Sequence, residues 1–136
     1  GSGDDPFGLV QGLVTRIIRG AEQMPWLPPL WIREISNEGG QLREKIFQYL
    51  PFDKFKEFGE CIATAQQQGI VNGGLEPRLL YLSIIGLTVF PLATAQIWKR
   101  IPGMEGLNTE QLARHATALL MHGLTKPSLD PEPKNA

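Results

Sequence analysis

Apolar residues recur at every third or fourth position along most of this chain, and proline and glycine separate the segments that carry them. This period predicts amphipathic α-helices, and no segment has the alternation typical of a β-strand. The pattern therefore predicts an all-α fold. Five to six helices are expected, over residues 6–24, 28–38, 41–50, 52–68, 77–100 and 109–123.

Residues that favour helix ends stand at several of these boundaries. Asp5 precedes a proline and is placed to cap the first helix. Asn108 and Gln111 have the spacing of a capping box at the start of the last helix. Gly69 is expected to end the fourth helix, and residues 70–75 to connect it to the next.

The longest predicted helix, residues 77–100, is apolar on two faces. A helix that is apolar nearly all round must be covered on both sides, and a chain of this size covers one side with its own helices. We expect an identical chain to cover the other side, with Gly86 permitting close approach of two helices. A central helix within a monomer is the alternative. The first face holds Leu79, Leu82, Gly86, Val89, Phe90 and Ala93, and the second holds Leu80, Ile84, Leu87 and Pro91.

The last helix supplies the rest of the predicted dimer interface. Its histidines, His115 and His122, lie seven positions apart on one face. The rise between them is about 10 Å, too far for both imidazoles to bind one metal ion directly. We therefore expect packing or dimer contacts and no metal. The predicted interface comprises Leu82, Gly86, Val89, Phe90, Ala93, Leu112, His115, Ala116, Leu119 and Gly123.

The composition narrows the class of protein. A chain of 136 residues has the length of one domain, and a hydrophobic fraction of 42% suffices for a core. Thirteen Lys and Arg stand against fourteen Asp and Glu, for a net charge of −1. Nucleic-acid binding by this segment is disfavoured, because phosphate contacts need a basic face. Cys61 is the single cysteine and forms no internal disulfide, so we expect a cytoplasmic protein.

Two segments allow a second interpretation. Residues 79–98 carry no charge and have about the length of a membrane-spanning helix. Pro91 and several polar residues interrupt them, so a helix buried in protein is favoured and no membrane contact is expected. The prolines around Trp26, at residues 25–29, are compatible with a polyproline ligand, but a turn that leads into a helix is favoured.

Residues typical of catalysis form no recognisable constellation. Cys61 lies midway along a predicted helix and has no histidine near it in the sequence. Glu34, Glu38 and Glu44 lack the spacing of an acid–base pair. We therefore expect that the protein is not an enzyme and uses no cofactor, with a small helical enzyme as the alternative.

Aromatic residues are concentrated before and at the start of the long helix. Side chains of this kind form cores, but they also line pockets for small molecules, together with a few polar groups that orient the ligand. Gln66 is expected to be such a polar group, since it lies on an inward face. The predicted ligand-binding residues are Trp31, Glu34, Phe55, Phe58, Ile62, Gln66 and Tyr81.

Three segments carry a resemblance to a known family. The stretch A-Q-Q-Q-G-I-V-N-G-G-L-E-P-R-L-L-Y-L-S-I-I-G-L-T-V-F-P, residues 65–91, resembles the C-terminal region of TetR/AcrR-family transcriptional regulators. So do L-A-R-H-A-T-A-L-L-M-H-G-L, residues 112–124, and L-P-P-L-W-I-R-E-I, residues 27–35. Residues 4–124 are accordingly expected to be the effector-binding and dimerisation domain. We interpret residues 1–3 as a cloning scar and 125–136 as a disordered tail.

The resemblance implies a homodimer joined by a four-helix bundle, made of the last two helices of each subunit. It also implies a pocket for a small apolar or aromatic effector, whose binding changes the spacing of two DNA-reading heads. We expect the family's N-terminal helix-turn-helix to lie in a preceding segment, so DNA is a partner only through that domain. The expected role is that of a repressor. The alternative is a stand-alone helical protein–protein interaction module without a small-molecule ligand.

The charge balance yields a first prediction. The chain alone should not bind duplex DNA specifically, because its Lys and Arg residues are dispersed and no segment resembles a recognition helix. A fluorescence-anisotropy titration of the chain into labelled duplex should stay flat at physiological salt. Sequence-specific binding of micromolar or better affinity would contradict this expectation.

Overall fold

The computed structural model describes residues 5–37, 43–49 and 52–128. Within these ranges the chain is helical and forms no β-sheet, which confirms the all-α prediction. The predicted scar at residues 1–3 and residues 129–136 of the predicted tail lie outside them. The helices are α1 (Pro6–Gln23), α2 (Leu27–Ser36), α3 (Arg43–Tyr49), α4 (Phe52–Gln67), α5 (Pro77–Ala93), α6 (Ala95–Trp98) and α7 (Thr109–Leu124).

The expected capping residues begin α1 and α7, and a further capping residue begins α5. The Asp5 carboxylate accepts the Phe7 N–H at 3.0 Å, at the start of α1. At α7, Asn108 and Gln111 exchange side-chain and backbone hydrogen bonds, so the capping box is confirmed. Glu76 caps α5, and hydrogen bonds from the Arg78 guanidinium and backbone N–H lower the pKa of Glu76 to about 2. This cap therefore stays charged at neutral pH.

The core is built around α5, which packs against α1, α2, α4 and α7. Leu80, Ile84 and Thr88 are spaced by four residues and form its buried face. Thr88 is the polar member of this set, and its hydroxyl donates to the Ile84 carbonyl at 2.7 Å, so the buried hydroxyl has a hydrogen-bond partner within its own helix. The other helices contribute apolar residues that pack around this face: Val10, Leu13, Val14, Ile18, Phe58, Ile62, Leu120 and Leu124.

The long helix predicted over residues 77–100 is divided in two, which corrects the prediction. α5 ends at Ala93, so it has 17 residues, and α1 with 18 is longer. Pro91 has no N–H to donate to the preceding turn, and Thr94 leaves the helical conformation. The Pro91 carbonyl accepts the Trp98 indole N–H at 2.9 Å. In the part of the chain that the structure describes, no helix has both the length and the apolar character needed to cross a membrane.

The connector after α4 joins this helix to the far end of α7. Gly69 has a φ of 74°, and the N–H groups of Gly69 and Ile70 donate to the Gln66 and Ala65 carbonyls. This is a Schellman motif, whose left-handed residue favours glycine. The chain then turns towards α7, where Val71 forms an isolated antiparallel bridge with Thr125. The predicted tail is therefore ordered at its first residue.

Asn72 holds the end of α7 in this junction. Its side-chain amide donates to the Gly123 carbonyl at 2.9 Å, and its backbone N–H donates to the Leu124 carbonyl at 2.9 Å. Carbonyls in the last turn of a helix have no partner within the helix, so Asn72 supplies what the helix itself cannot. The Asn72 side-chain oxygen also accepts the Gly74 N–H at 2.9 Å.

Removing the Asn72 side chain should therefore destabilise the domain. Asn72→Ala loses two hydrogen bonds and should lower the free energy of unfolding by about 1–2 kcal/mol, as measured by urea denaturation. Gln68→Ala is the control, because Gln68 is an exposed amide close to the same turn. Equal midpoints for the two variants would show that Asn72 does not hold the junction.

Candidate functional site

Four aromatic residues form a cluster, Phe52, Phe55, Phe58 and Tyr81, that runs from the surface into the core. The three phenylalanines lie on successive turns of α4, and Tyr81 lies in the first turns of α5. The ring centres are 5.9 Å apart for Phe52 and Phe55, 4.3 Å for Phe55 and Tyr81, and 5.3 Å for Phe58 and Tyr81. Phe58 is 6% exposed and Phe52 is 54% exposed. This aromatic cluster therefore has a closed inner end and an open outer end.

The Tyr81 hydroxyl is the polar group of the aromatic cluster. Burial raises its pKa above the usual value, and the positive charge of Arg16 opposes that shift. Among the described residues, the hydroxyl has no hydrogen-bond partner. Because the pKa of Tyr81 lies above that of an ordinary tyrosine, the hydroxyl keeps its proton at neutral pH and can donate to water or a ligand.

The structure brings together part of the predicted ligand-binding set. Phe55, Phe58 and Tyr81 are in ring contact, and Ile62 lies one turn beyond Phe58 with no exposed surface. A distance of 4.3 Å between two ring centres leaves no space for a ligand between Phe55 and Tyr81. A ligand at this place must therefore lie on the open side of the rings.

The two residues predicted on α2 are separate from this cluster. Trp31 and Glu34 are both half-buried on α2, which packs against α5. Within the described residues, Trp31 makes no ring contact with the aromatic cluster. The positions of Trp31 and Glu34 in the helical repeat predicted that both side chains face inward. The repeat does not show which residues they contact.

The Gln66 side chain is hydrogen-bonded to the connector that follows α4. Its side-chain amide donates to the Asn72 carbonyl at 3.0 Å and to the Leu75 carbonyl at 2.8 Å. Both N–H groups of the amide are thus used by the connector, so Gln66 anchors this turn, and a ligand contact through its side-chain oxygen stays a prediction. A half-buried glutamine did find partners, as expected, but they are backbone groups of its own chain.

The outer face of α5 is apolar and exposed. Leu82 is 61% exposed and Phe90 is 56% exposed, while Gly86 between them has no side chain. Leu80 and Ile84 lie on the opposite, buried side. The two-face pattern read from the sequence is therefore confirmed in its orientation. We call this surface the outer α5 face: Leu79, Leu82, Gly86 and Phe90, with Val89 and Ala93 half-buried at its edge.

The helix α7 packs against α5 and carries the other residues of the predicted interface. Leu119 is exposed, as are His115 and Gly123, whereas Leu112 is half-buried and packs partly against the core. Ala116 is fully buried inside the subunit. It has no surface to offer a second copy, which corrects its place in the predicted interface.

The sequence reasoning missed two exposed residues beyond the outer α5 face. Ile97 and Ile101 are among the exposed large apolar side chains, and Ile97 is the most exposed of them at 72%. The signal was present, because positions 82, 86, 90, 97 and 101 continue one helical spacing.

Other chemistry has little support in the described residues. Across residues 5–37, 43–49 and 52–128, no group of three or more His, Cys, Asp or Glu side chains is placed to hold a metal ion. Cys61 is a free, half-buried thiol on α4. The aromatic cluster and the outer α5 face are therefore the two candidate sites.

No protein-family model and no curated protein matches the sequence.

The depth of the aromatic cluster can be measured by removing one ring at a time. Phe58→Ala should lower the free energy of unfolding by about 3–5 kcal/mol, because it empties a buried volume. The matched change Phe52→Ala removes the same ring from an exposed position and should cost about 1 kcal/mol or less. Both follow from thermal or urea unfolding. Similar losses in the two variants would mean that the cluster has no buried end.

Proposed function

We propose that the chain is the effector-binding and dimerising domain of a TetR-type transcriptional regulator. In this proposal it acts in a cytoplasmic repressor that a small apolar or aromatic molecule releases from DNA. The observation that carries the proposal is the outer α5 face, an uncharged surface on the helix at the centre of the fold. The resemblance of residues 65–91 and 112–124 to the C-terminal region of TetR/AcrR-family regulators supports it.

The outer α5 face is suited to a second copy of the chain. Apolar surface gains about 25 cal/mol per Å² when it leaves water, so exposed leucine and phenylalanine side chains on neighbouring turns favour association. A two-fold axis near Gly86 would set two α5 helices against each other at the position that lacks a side chain. No charge on this face opposes the contact, and Leu119 of α7 lies on the adjoining helix.

The helix α5 also connects the two candidate sites. Its first turns carry Tyr81 of the aromatic cluster, and its middle carries the outer α5 face. A ligand on the cluster would therefore contact the helix that makes the proposed dimer. Such a ligand shifts the dimer geometry only if it binds two arrangements of α5 unequally. DNA-reading domains attached to each subunit would then change their spacing.

A second function has one observation in its favour. The ring centres of Phe55 and Tyr81 are 4.3 Å apart, which is the contact expected of a core that needs no ligand. In that case the domain is a protein–protein interaction module. A thermal-shift screen separates the two proposals, because a ligand that binds only the folded state raises the melting temperature.

The proposed dimer is tested by filling the gap at Gly86. A Cβ at Gly86, or at Gly20 of α1, would meet no neighbouring atom of the described chain within 4 Å. Gly86→Leu should therefore leave the subunit folded, and the loss of glycine from a helix should even favour folding by about 0.5–1 kcal/mol. It should nevertheless weaken the dimer, because the added side chain forces two close helices apart.

Light scattering at micromolar concentration measures the outcome. The unaltered chain and the control Gly20→Leu should have twice the mass of one chain, and Gly86→Leu should shift towards the mass of one. A monomeric unaltered chain would refute the dimer outright. A dimer that Gly86→Leu leaves intact would place the interface elsewhere.

A further inference from the structure

We propose that Asn72 is a site of spontaneous deamidation, and that its conversion to aspartate or isoaspartate releases the last turn of α7. Asparagine is a chemically labile residue, and here it precedes Gly73 in the connector between α4 and α5. The reaction needs only water as a co-reactant. It is independent of the effector and of the dimer proposed above.

The backbone nitrogen of Gly73 is the nucleophile of this reaction. Glycine carries no side chain that would shield this nitrogen, and Gly73 is exposed to solvent. The N–H groups on either side are both used, because Asn72 donates to the Leu124 carbonyl and Gly74 donates to the Asn72 side chain. The Gly73 N–H has no hydrogen-bond partner among the described residues, so its proton is open to removal by solvent.

The Asn72 side chain is held in a turn that favours attack on its Cγ. Its Oδ1 accepts the Gly74 N–H at 2.9 Å, and the ring that this hydrogen bond closes contains both the Asn72 Cγ and the Gly73 nitrogen. Negative charge develops on Oδ1 when a nucleophile adds to Cγ. A donor that already points at this oxygen stabilises that charge, so the Gly74 N–H lowers the barrier to the addition.

The reaction has two steps. In the first, the Gly73 nitrogen loses its proton and bonds to the Asn72 Cγ, while the bond from Cγ to Nδ2 breaks. The Nδ2 group leaves as ammonia with one added proton, and a five-membered imide remains. In the second, water opens one of the two imide carbon–nitrogen bonds, giving OH to the carbon and hydrogen to the Gly73 nitrogen. Opening at Cγ gives aspartate, and opening at the backbone carbonyl gives isoaspartate.

Both products remove a contact that holds the end of α7. The Asn72 Nδ2 donates to the Gly123 carbonyl at 2.9 Å, and a carboxylate has no N–H to replace this donor. A negative charge would instead lie beside an oxygen that has no partner within its own helix. Isoaspartate also adds a carbon to the main chain, which displaces the Asn72 carbonyl from the Gln66 amide that donates to it at 3.0 Å.

Peptide mapping by mass spectrometry measures the reaction after the folded full chain has been kept at mildly alkaline pH. The peptide that contains Asn72 should gain the mass difference between NH2 and OH, and faster as the pH is raised, because the attacking nitrogen must lose its proton. Asn108 is the internal control and should stay intact, because Thr109 follows it and its side chain caps α7.

Gly73→Ala is the matched variant. A Cβ at Gly73 meets no neighbouring atom within 4 Å, and its φ is not positive, so the variant keeps the fold and the Asn72 hydrogen bonds. The methyl group beside the attacking nitrogen raises the barrier and should slow the conversion of Asn72 about tenfold. An unchanged rate would refute attack by the Gly73 nitrogen.

The release of α7 is measured on the converted chain and on Asn72→Asp, which makes one product directly. Both should show faster amide hydrogen exchange in the last turn of α7 and a lower urea midpoint than the unaltered chain. If Asn72 converts without either change, the modification does not release α7. If Asn72 stays intact in the folded chain but converts in urea, the fold protects it and the proposal is wrong.

Discussion

The central helix α5 has apolar side chains on nearly every side, and this constraint shapes the rest of the domain. Such a helix is stable in water only where other groups cover it. Four helices pack against α5, and Thr88 satisfies its buried hydroxyl with a carbonyl of the same helix, so this side needs no polar neighbour. In the described part of the chain no helix covers the opposite side, where Leu82 and Phe90 remain exposed. The packing of four helices on one side of α5 and the proposed dimer on the other thus meet the same requirement, which is that the apolar surface of α5 be covered.

Features that depend on neighbouring residues were predictable from the sequence. The caps at Asp5 and Asn108 follow from residue preferences within one helical turn, and the structure has both. The orientation of α5 followed from spacing, because Ile84 and Leu82 lie on opposite sides of any regular helix. The division of the helix at Thr94 was harder to foresee, since a proline can be accommodated within a helix and Pro91 is.

Features that depend on distant residues were not predictable in this way. Asn72 and Gly123 are hydrogen-bonded although 51 positions separate them, and no local pattern marks either residue. Gln66 was recognised as inward-facing, but its partners are set by the course of the connector.

The packing of α1 against α7 has a consequence for how the domain forms. The Thr109 hydroxyl donates to the Glu22 carboxylate at 2.7 Å across 87 positions of sequence, so the two helices meet only after the helices between them have been made. During synthesis, the apolar side of α1 that α7 will cover stays open to solvent. Pairings between such distant segments slow folding, and apolar surface left open meanwhile favours aggregation. Nascent chains that end before α7 should therefore depend on chaperones more than the finished domain does.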